Sequence, residues 1–182
     1  MLAHLRTTGD EGKMIAKTMF LGGARSGKSR LALQFAERHA GPLHYLATAE
    51  ARDEEMTNRI DRHRGERGNG WRTVECPLAL PEAIGAIETG AILVDCLTLW
   101  LSNLMLGDHD IAARSDELLA AIVATSLPLI IVTNEVGMGI VPDHPLGRAF
   151  RDAAGRLNQD VVAEMKTAYF VCAGRVLPLQ RF

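Results

Sequence analysis

The segment Gly22–Ser29, with the sequence GGARSGKS, constrains the fold of this chain more than any other feature. It fits G-x-x-x-x-G-K-[ST] at every defined position, follows the short apolar run Met19–Leu21 and precedes a stretch with helical periodicity. A strand, a glycine-rich loop and a helix in this order predict a phosphate-binding P-loop. The glycines let backbone N–H groups approach phosphate oxygens, and the helix adds the positive end of its dipole.

The P-loop residues have separate predicted roles. Lys28 carries a mobile positive charge for the β- and γ-phosphates, so it is a catalytic candidate. The Ser29 hydroxyl is a candidate ligand of Mg²⁺. All eight residues of the motif are predicted to bind a nucleoside triphosphate: Gly22, Gly23, Ala24, Arg25, Ser26, Gly27, Lys28 and Ser29.

Asp95 is the second candidate ligand of Mg²⁺. It follows the apolar run AILV (91–94), which is typical of a central parallel strand. A carboxylate at such a strand end commonly holds the magnesium ion of a P-loop protein. The alternative role for Asp95 is to cap the next helix. Neither feature identifies the base of the nucleotide or separates a kinase from a motor or a switch.

Apolar periodicity predicts an α/β fold of the P-loop NTPase class, with a mostly parallel sheet flanked by helices. Strands are predicted at 19–21, 43–49, 71–76, 91–96 and 128–136, followed by two closing strands at 168–174 and 175–179 that can form a hairpin. Helices are predicted at 29–40, 50–65, 78–89, 97–106, 113–126 and 144–167. One apolar side is predicted for the last helix: Leu146, Phe150, Ala153, Leu157, Val161 and Met165.

The length of 182 residues suits one domain, which we expect at 19–182 after an N-terminal extension at 1–18. A formal net charge of -2 argues against a broad nucleic-acid surface. The longest apolar segment, 91–106, is too short to span a bilayer. Its second part, 97–106, offers apolar surface for a subunit contact.

The three cysteines are too far apart for metal-ligand spacing. Cys96 and Cys172 lie in apolar runs, which predicts buried, reduced thiols. The sparse, odd count and the lack of a secretory signal at the start predict a cytoplasmic protein.

A single histidine lies among arginines in the segment IDRHRGERGNGW (60–71). On a helix, Met56, Ile60 and His63 share one face, and this spacing alone favours an ordinary structural histidine. The arginines point to another role, because nearby positive charge lowers the pKa of an imidazole and keeps it nucleophilic. A covalent step at an α-phosphate needs such a nucleophile, whereas a γ-phosphoryl transfer does not.

Four blocks together resemble the bifunctional adenosylcobinamide kinase / adenosylcobinamide-phosphate guanylyltransferase family of cobalamin biosynthesis. They are FLGGARSGKSRLA, ATAEARDEEMTNRIDRHRGERGNGWRTVE, ILVDCLTLWLSNL and VTNEVGMGIVPDHPLGRAFRDAAGRLNQ. The resemblance extends over residues 19–175. It implies a RecA-like fold and a homotrimer.

The resemblance also implies two reactions. ATP or GTP phosphorylates the aminopropanol hydroxyl of the corrinoid substrate adenosylcobinamide. GMP is then transferred from GTP to that phosphate through a GMP–histidine intermediate at His63, giving adenosyl-GDP-cobinamide and pyrophosphate. Outside the P-loop, the nucleotide contacts implied by the resemblance are Ala47, Thr48, Ala49, Arg64, Gly65, Glu66, Arg67, Glu75 and Asp95.

Several alternatives remain open from the residues themselves. Glu75 is also compatible with a solvated strand end. Asn134, Glu135, Arg148 and Arg151 are compatible with a corrinoid pocket or with an ordinary strand-to-helix connection. The rival functions are a single-activity P-loop small-molecule kinase with a structural His63, a RecA-like ATPase acting on nucleic acid, and a nucleotide-gated binding module.

Overall fold

The computed structural model describes residues 16–50, 54, 65, 68 and 70–181. Within these ranges the strands are β1 (Thr18–Gly22), β2 (Leu43–Ala47), β3 (Trp71–Glu75), β4 (Ala91–Asp95), β5 (Leu129–Asn134), β6 (Thr167–Cys172) and β7 (Arg175–Leu179). The helices are α1 (Lys28–Ala36), α2 (Leu80–Gly85), α3 (Leu97–Leu106), α4 (Ile111–Ala124) and α5 (Pro145–Ala163).

The strands form one sheet in the order β3-β2-β4-β5-β1-β6-β7. Neighbouring strands are parallel except for β7, which runs antiparallel to β6. The predicted α/β architecture and the closing hairpin are therefore confirmed. The carboxyl ends of β1, β4 and β5 lie side by side, and the P-loop leaves the sheet from β1.

Helices cover both faces of the sheet, because the side chains of each strand alternate between two apolar clusters. On the face of the sheet that α1 covers, called the α1 face, Phe20, Tyr45 and Val132 are buried against the helix. The opposite face carries α2, α3, α4 and α5 over the larger cluster. Of the described helices, none combines the length and the apolar character that crossing a membrane requires.

Most of the apolar surface expected on segment 97–106 is buried within the chain, and the exposed large apolar residue is Leu106. This segment is α3, and Leu97, Trp100, Leu101 and Leu104 are fully buried within the chain. The indole N–H of Trp100 donates to the Leu78 carbonyl at 3.0 Å, which satisfies its polar atom inside the core. The helix is apolar on most sides because it lies between the sheet and other helices.

The helix predicted at 29–40 ends earlier, at Ala36. Beyond it the hydrogen bonds tighten to a three-residue spacing, from Arg38 N–H to the Phe35 carbonyl and from His39 N–H to the Ala36 carbonyl. The predicted span 78–89 forms only the six-residue α2.

The long helix predicted at 144–167 ends at Ala163, since Thr167 already pairs with Thr18 as the first residue of β6. Its predicted apolar side is confirmed except at the first residue, because Met165 is buried in the same cluster as the buried residues of α5. Leu146 is 53% exposed, so its predicted inward position is wrong. The buried residues of α5 are Ala154, Leu157 and Val161, with Phe150 and Ala153 partly buried beside them.

Strand β1 begins at Thr18, one residue before the predicted start of the domain, and Thr18 is buried. The Lys17 carbonyl accepts a hydrogen bond from the Lys166 N–H, which ties the start of β1 to the loop before β6. Residues 1–15 of the predicted extension lie outside the described residues. Of the predicted helix 50–65, Glu50, Glu54 and Gly65 are described. Glu54 and Gly65 are helical, whereas Glu50, the predicted first residue, is not.

The prediction for the cysteines is correct at Cys96 and wrong at Cys172. Cys96 is buried, whereas Cys172 is exposed at the end of β6. Strand alternation explains the error, because the preceding Val171 takes the inward position. Cys76 is buried as well, and burial raises its pKa to about 12.

Candidate nucleotide site

The P-loop makes a sharp turn between β1 and the start of α1. Arg25 and Gly27 both have positive φ angles, of 55° and 96°, which turn the chain sharply before α1. Gly27 is the N-cap of α1 and no side chain caps the helix there. The first N–H groups of α1 therefore have no side-chain cap and face the loop as donors suited to phosphate.

Lys28 lies across this loop. Its side chain is largely buried, and its ammonium donates to the Gly23 carbonyl at 3.1 Å. The contact holds the charge over the loop, where the β- and γ-phosphates of a bound nucleotide would lie.

Asp95 and Ser29 meet at the carboxyl end of β4. The Ser29 hydroxyl lies 3.4 Å from Oδ1 of Asp95, and the Tyr45 hydroxyl donates to Oδ2 at 2.8 Å. The structure therefore brings together two residues predicted from distant parts of the sequence. A hydroxyl and a carboxylate are hard oxygen donors of the kind that Mg²⁺ prefers, so this pair fits the ion. Tyr45, which orients the carboxylate, was not predicted from the sequence.

The β6–β7 hairpin supports the P-loop from the other side. The Gly174 N–H donates to the Ser26 carbonyl at 2.8 Å. A Cβ built on Gly22 would lie 2.3 Å from the Val171 carbonyl oxygen and 3.1 Å from the Ser26 hydroxyl oxygen. The start of the loop thus fits against β6 only without a side chain.

We expect Gly22→Ala to lower the free energy of unfolding by about 1–3 kcal/mol, since the new methyl group must displace the backbone of β6. Gly23→Ala is the matched control, because a Cβ there would meet no atom of the described residues within 4 Å. Urea unfolding of both variants measures the difference. Equal stability of the two variants would contradict a close fit between Gly22 and β6.

The predicted contact segment Ala47–Ala49 follows β2, next to Asp95. Ala47 pairs with Asp95 on one side and with Glu75, which is exposed, on the other. Thr48, however, is fully buried, and its hydroxyl donates to the Cys96 carbonyl at 2.7 Å and accepts from the Cys96 N–H at 2.8 Å. Its side chain therefore joins β2 to β4.

A buried asparagine completes this junction. The amide of Asn103 in α3 donates to the Thr48 carbonyl at 2.8 Å and to the Pro77 carbonyl at 3.1 Å. The sequence gives no local signal for this role, because the three segments meet only in the folded chain.

Four of the predicted site residues, His63, Arg64, Glu66 and Arg67, lie outside the described residues. Gly65 is described and is exposed, and no atom of the described residues lies within 4 Å of the position of a Cβ there.

A polar network that the sequence did not reveal lies at the carboxyl end of β5. The Thr98 hydroxyl accepts from the Asn134 N–H at 2.7 Å and contacts the Thr133 hydroxyl at 3.2 Å. The Thr133 hydroxyl donates to Oδ1 of Asn158 at 2.8 Å, and Nδ2 of Asn158 donates to the Asn134 carbonyl at 3.1 Å. The network fixes the end of β5 to α3 and α5.

The loop after β5 is tied to the P-loop and to itself. The Glu135 N–H donates to the Gly22 carbonyl at 3.1 Å, and the Glu135 carboxylate accepts from the N–H groups of Gly137 and Met138. Arg148 donates to two carbonyls of the same loop, and Arg151 pairs with Asp152. These arginines have partners close in sequence, as expected for a strand-to-helix connection.

A separate cavity of about 360 Å³ lies on the opposite side of the sheet from α1, between α2 and the strands β2 and β3. It is lined by His44, Arg72, Val74, Ala83, Ala86, Ile87, Glu88 and Thr89. None of the predicted site residues that the structure describes is among them.

The parallel sheet, the P-loop with Lys28 across it and the Ser29–Asp95 pair define a nucleotide-binding P-loop protein of the α/β class. Residues 18–179 match the family described as cobinamide kinase / cobinamide phosphate guanyltransferase. The chain belongs to this family.

Curated relatives agree with this assignment. The chain is 42% identical to the bifunctional adenosylcobalamin biosynthesis protein CobP of Pseudomonas aeruginosa, over 90% of this chain and 97% of the relative. It is 40% identical to the bifunctional adenosylcobalamin biosynthesis protein CobU of Escherichia coli K12, over 84% of this chain and 93% of the relative.

Solved structures are more distant. The flagellar accessory protein FlaH from Methanocaldococcus jannaschii has a TM-score of 0.47 and 10% identity, over 91% of this chain and 77% of that chain. A solved ATPase domain has the same TM-score and 12% identity, over 86% and 69% of the two chains.

Proposed function

We propose that this protein phosphorylates adenosylcobinamide with ATP or GTP and then transfers GMP from GTP to the product, giving adenosyl-GDP-cobinamide and pyrophosphate. The observation that carries the proposal is the arrangement of Lys28, Ser29 and Asp95 around a P-loop in a member of this family. The family resemblance also supports a homotrimer, and the sparse cysteines support a cytoplasmic location.

In the kinase step, the corrinoid hydroxyl oxygen forms a bond to the γ-phosphorus. The bond from that phosphorus to the β–γ bridging oxygen breaks, nucleoside diphosphate leaves, and the hydroxyl proton goes to solvent. The P-loop N–H groups hold the phosphates, and the Lys28 ammonium balances negative charge on the leaving diphosphate.

Ser29 and Asp95 would hold the Mg²⁺ ion that accompanies the nucleotide, Asp95 through water. When bound, this ion supplies positive charge that binds phosphate oxygens. Tyr45 fixes the Asp95 carboxylate through its 2.8 Å hydrogen bond and so presents Oδ1 toward Ser29.

In the guanylyl step, a ring nitrogen of His63 attacks the α-phosphorus of GTP. The bond to the α–β bridging oxygen breaks, pyrophosphate leaves, and GMP remains on the histidine. A phosphate oxygen of adenosylcobinamide phosphate then attacks the same phosphorus, and the P–N bond breaks. Arg64 and Arg67 are proposed to hold the phosphates during this exchange.

The proposal is tested by incubating the purified protein with adenosylcobinamide and GTP, with or without ATP, and analysing the corrinoids by mass spectrometry. We expect a phosphorylated corrinoid to appear first and GDP-cobinamide to follow with release of pyrophosphate. Nucleotide hydrolysis with no modified corrinoid would refute the proposal, and phosphorylation without GMP transfer would reduce the protein to a kinase.

A further inference from the structure

Three solvent-shielded side-chain atoms have no hydrogen-bond partner in the described part of the chain: the Ser26 hydroxyl oxygen, Nε2 of His44 and Oδ1 of Asn134. Ser26 belongs to the P-loop, and His44 lines the separate cavity. Asn134 is part of neither the P-loop nor the lining of that cavity. A buried acceptor without a donor is rare in folded proteins, so Oδ1 of Asn134 is a candidate contact for a bound molecule.

Asn134 lies at the centre of the nucleotide site by its place in the sheet. It ends β5, which runs between β4 with Asp95 and β1 with Gly22. In the β1–β5 register Asn134 is opposite Gly22, the first residue of the P-loop. In the β4–β5 register Asp95 is opposite Val132. Asn134 therefore lies two residues beyond the level of Asp95, at the carboxyl end of the sheet.

The side chain of Asn134 faces the nucleotide side of the sheet. Thr133, the preceding residue, bonds to Thr98 and Asn158 on the opposite face. Successive strand residues alternate, so Asn134 shares the α1 face with Asp95. Its main chain is held at both polar atoms by Thr98 and Asn158, which limits how far the amide can move.

The chemistry of an amide oxygen restricts what it can bind. Oδ1 accepts hydrogen bonds and does not donate them, whereas phosphate oxygens are themselves acceptors. A partner for Oδ1 must therefore be a hydrogen-bond donor or a cation, and the acceptor alcohol of the kinase step carries a hydrogen on its reacting oxygen. In the guanylyl step the attacking group is a phosphate, which is mostly a dianion at pH 8 because its second pKa is about 6.

We propose that Asn134 is a positioning residue for the kinase step, in which Oδ1 accepts a hydrogen bond from the corrinoid hydroxyl and directs its oxygen at the γ-phosphorus. This inference rests on the proposed function. The bonds that form and break are those of the kinase step above, and the amide takes no proton.

The test compares Asn134→Leu, which has similar volume and no acceptor, with Asn134→Asp, which keeps an acceptor oxygen. Each variant is assayed at pH 8 and saturating nucleotide in two separate reactions: phosphorylation of adenosylcobinamide, and GMP transfer to adenosylcobinamide phosphate supplied ready-made. We expect Asn134→Leu to lower kcat of the kinase step about 100-fold, as misplacement of a reacting group does, and to leave GMP transfer within a few-fold of the original. Asn134→Asp should recover most of the lost kinase kcat.

Asn103→Leu is the structural control, because Asn103 is a buried asparagine whose amide donates to the Thr48 and Pro77 carbonyls and so supports the segment after β2, which both reactions need. It should lower both reactions together. If Asn134→Leu does not fold, Asn158→Ala replaces it, since this variant frees the Asn134 carbonyl and should give a smaller loss confined to the kinase step.

Equal loss of both reactions in Asn134→Leu, an unchanged kinase kcat, or an Asp variant no better than the Leu variant would each overturn the inference. An original protein that phosphorylates no adenosylcobinamide would instead overturn the proposed function.

Discussion

Replacing Lys28 by alanine is expected to slow both the kinase and the guanylyl step by about 100- to 1000-fold, the effect of removing one charged group that stabilises a transition state. The reason is that both reactions draw on triphosphate held in the same P-loop. Lys28 is the P-loop cation, fixed there by its bond to the Gly23 carbonyl. Rates of corrinoid phosphorylation and of pyrophosphate release from GTP measure the two losses.

Lys17→Ala is the matched control, because Lys17 directly precedes β1 and its ammonium donates to the Val123 carbonyl on α4. Its rates should stay close to those of the original protein. A Lys28→Ala variant that loses only one of the two reactions would show that the two steps do not share the P-loop.

His63→Asn is expected to abolish GMP transfer, because removal of the nucleophile of a covalent catalyst costs about a millionfold in kcat. Phosphorylation of adenosylcobinamide should continue, since the acceptor hydroxyl attacks the γ-phosphorus directly. The measurement is protein-bound label after incubation with GTP labelled at the α-phosphate. A phosphoramidate is labile to acid and stable to base, and this stability identifies the bond.

His109→Asn serves as the control, since His109 is exposed after α3 and should keep the full label. Label that persists in His63→Asn would place the nucleophile elsewhere. Loss of the kinase step together with the label would indicate that His63 supports the fold or nucleotide binding.

The nucleotide-binding half of the site follows from the sequence because its parts are adjacent along the chain. The P-loop, Lys28 and Ser29 lie within one strand–loop–helix unit, whose geometry depends on local glycines and the start of α1. The position of Asp95 follows almost as directly, since an acidic residue after an apolar strand lies at the carboxyl edge of a parallel sheet. The structure adds that Oδ1 of Asp95 lies 3.4 Å from the Ser29 hydroxyl oxygen.

The apolar pattern gave less information about which surfaces are exposed. Segment 97–106 has apolar residues on most of its sides, a pattern shared by helices at subunit contacts and helices enclosed in a core. Cys172 lies in an apolar run, yet it is exposed. Side chains alternate along a strand, so a shift of one position decides whether a residue points inward or outward. Both outcomes depend on what packs against the segment, which periodicity alone does not contain.

The amino-acid order thus predicted the fold class, the P-loop with Lys28 and Ser29, and the position of Asp95, because each follows from the motif or the apolar pattern of a short stretch of the chain. The hydrogen bonds of Tyr45, Thr48 and the main chain of Asn134 are seen only in the folded molecule. Each arises where segments far apart in the chain meet, such as Tyr45 with Asp95 and Asn134 with Thr98 and Asn158. Hydrogen bonds between such segments are fixed by sheet order and register, and an isolated stretch of residues carries no record of either.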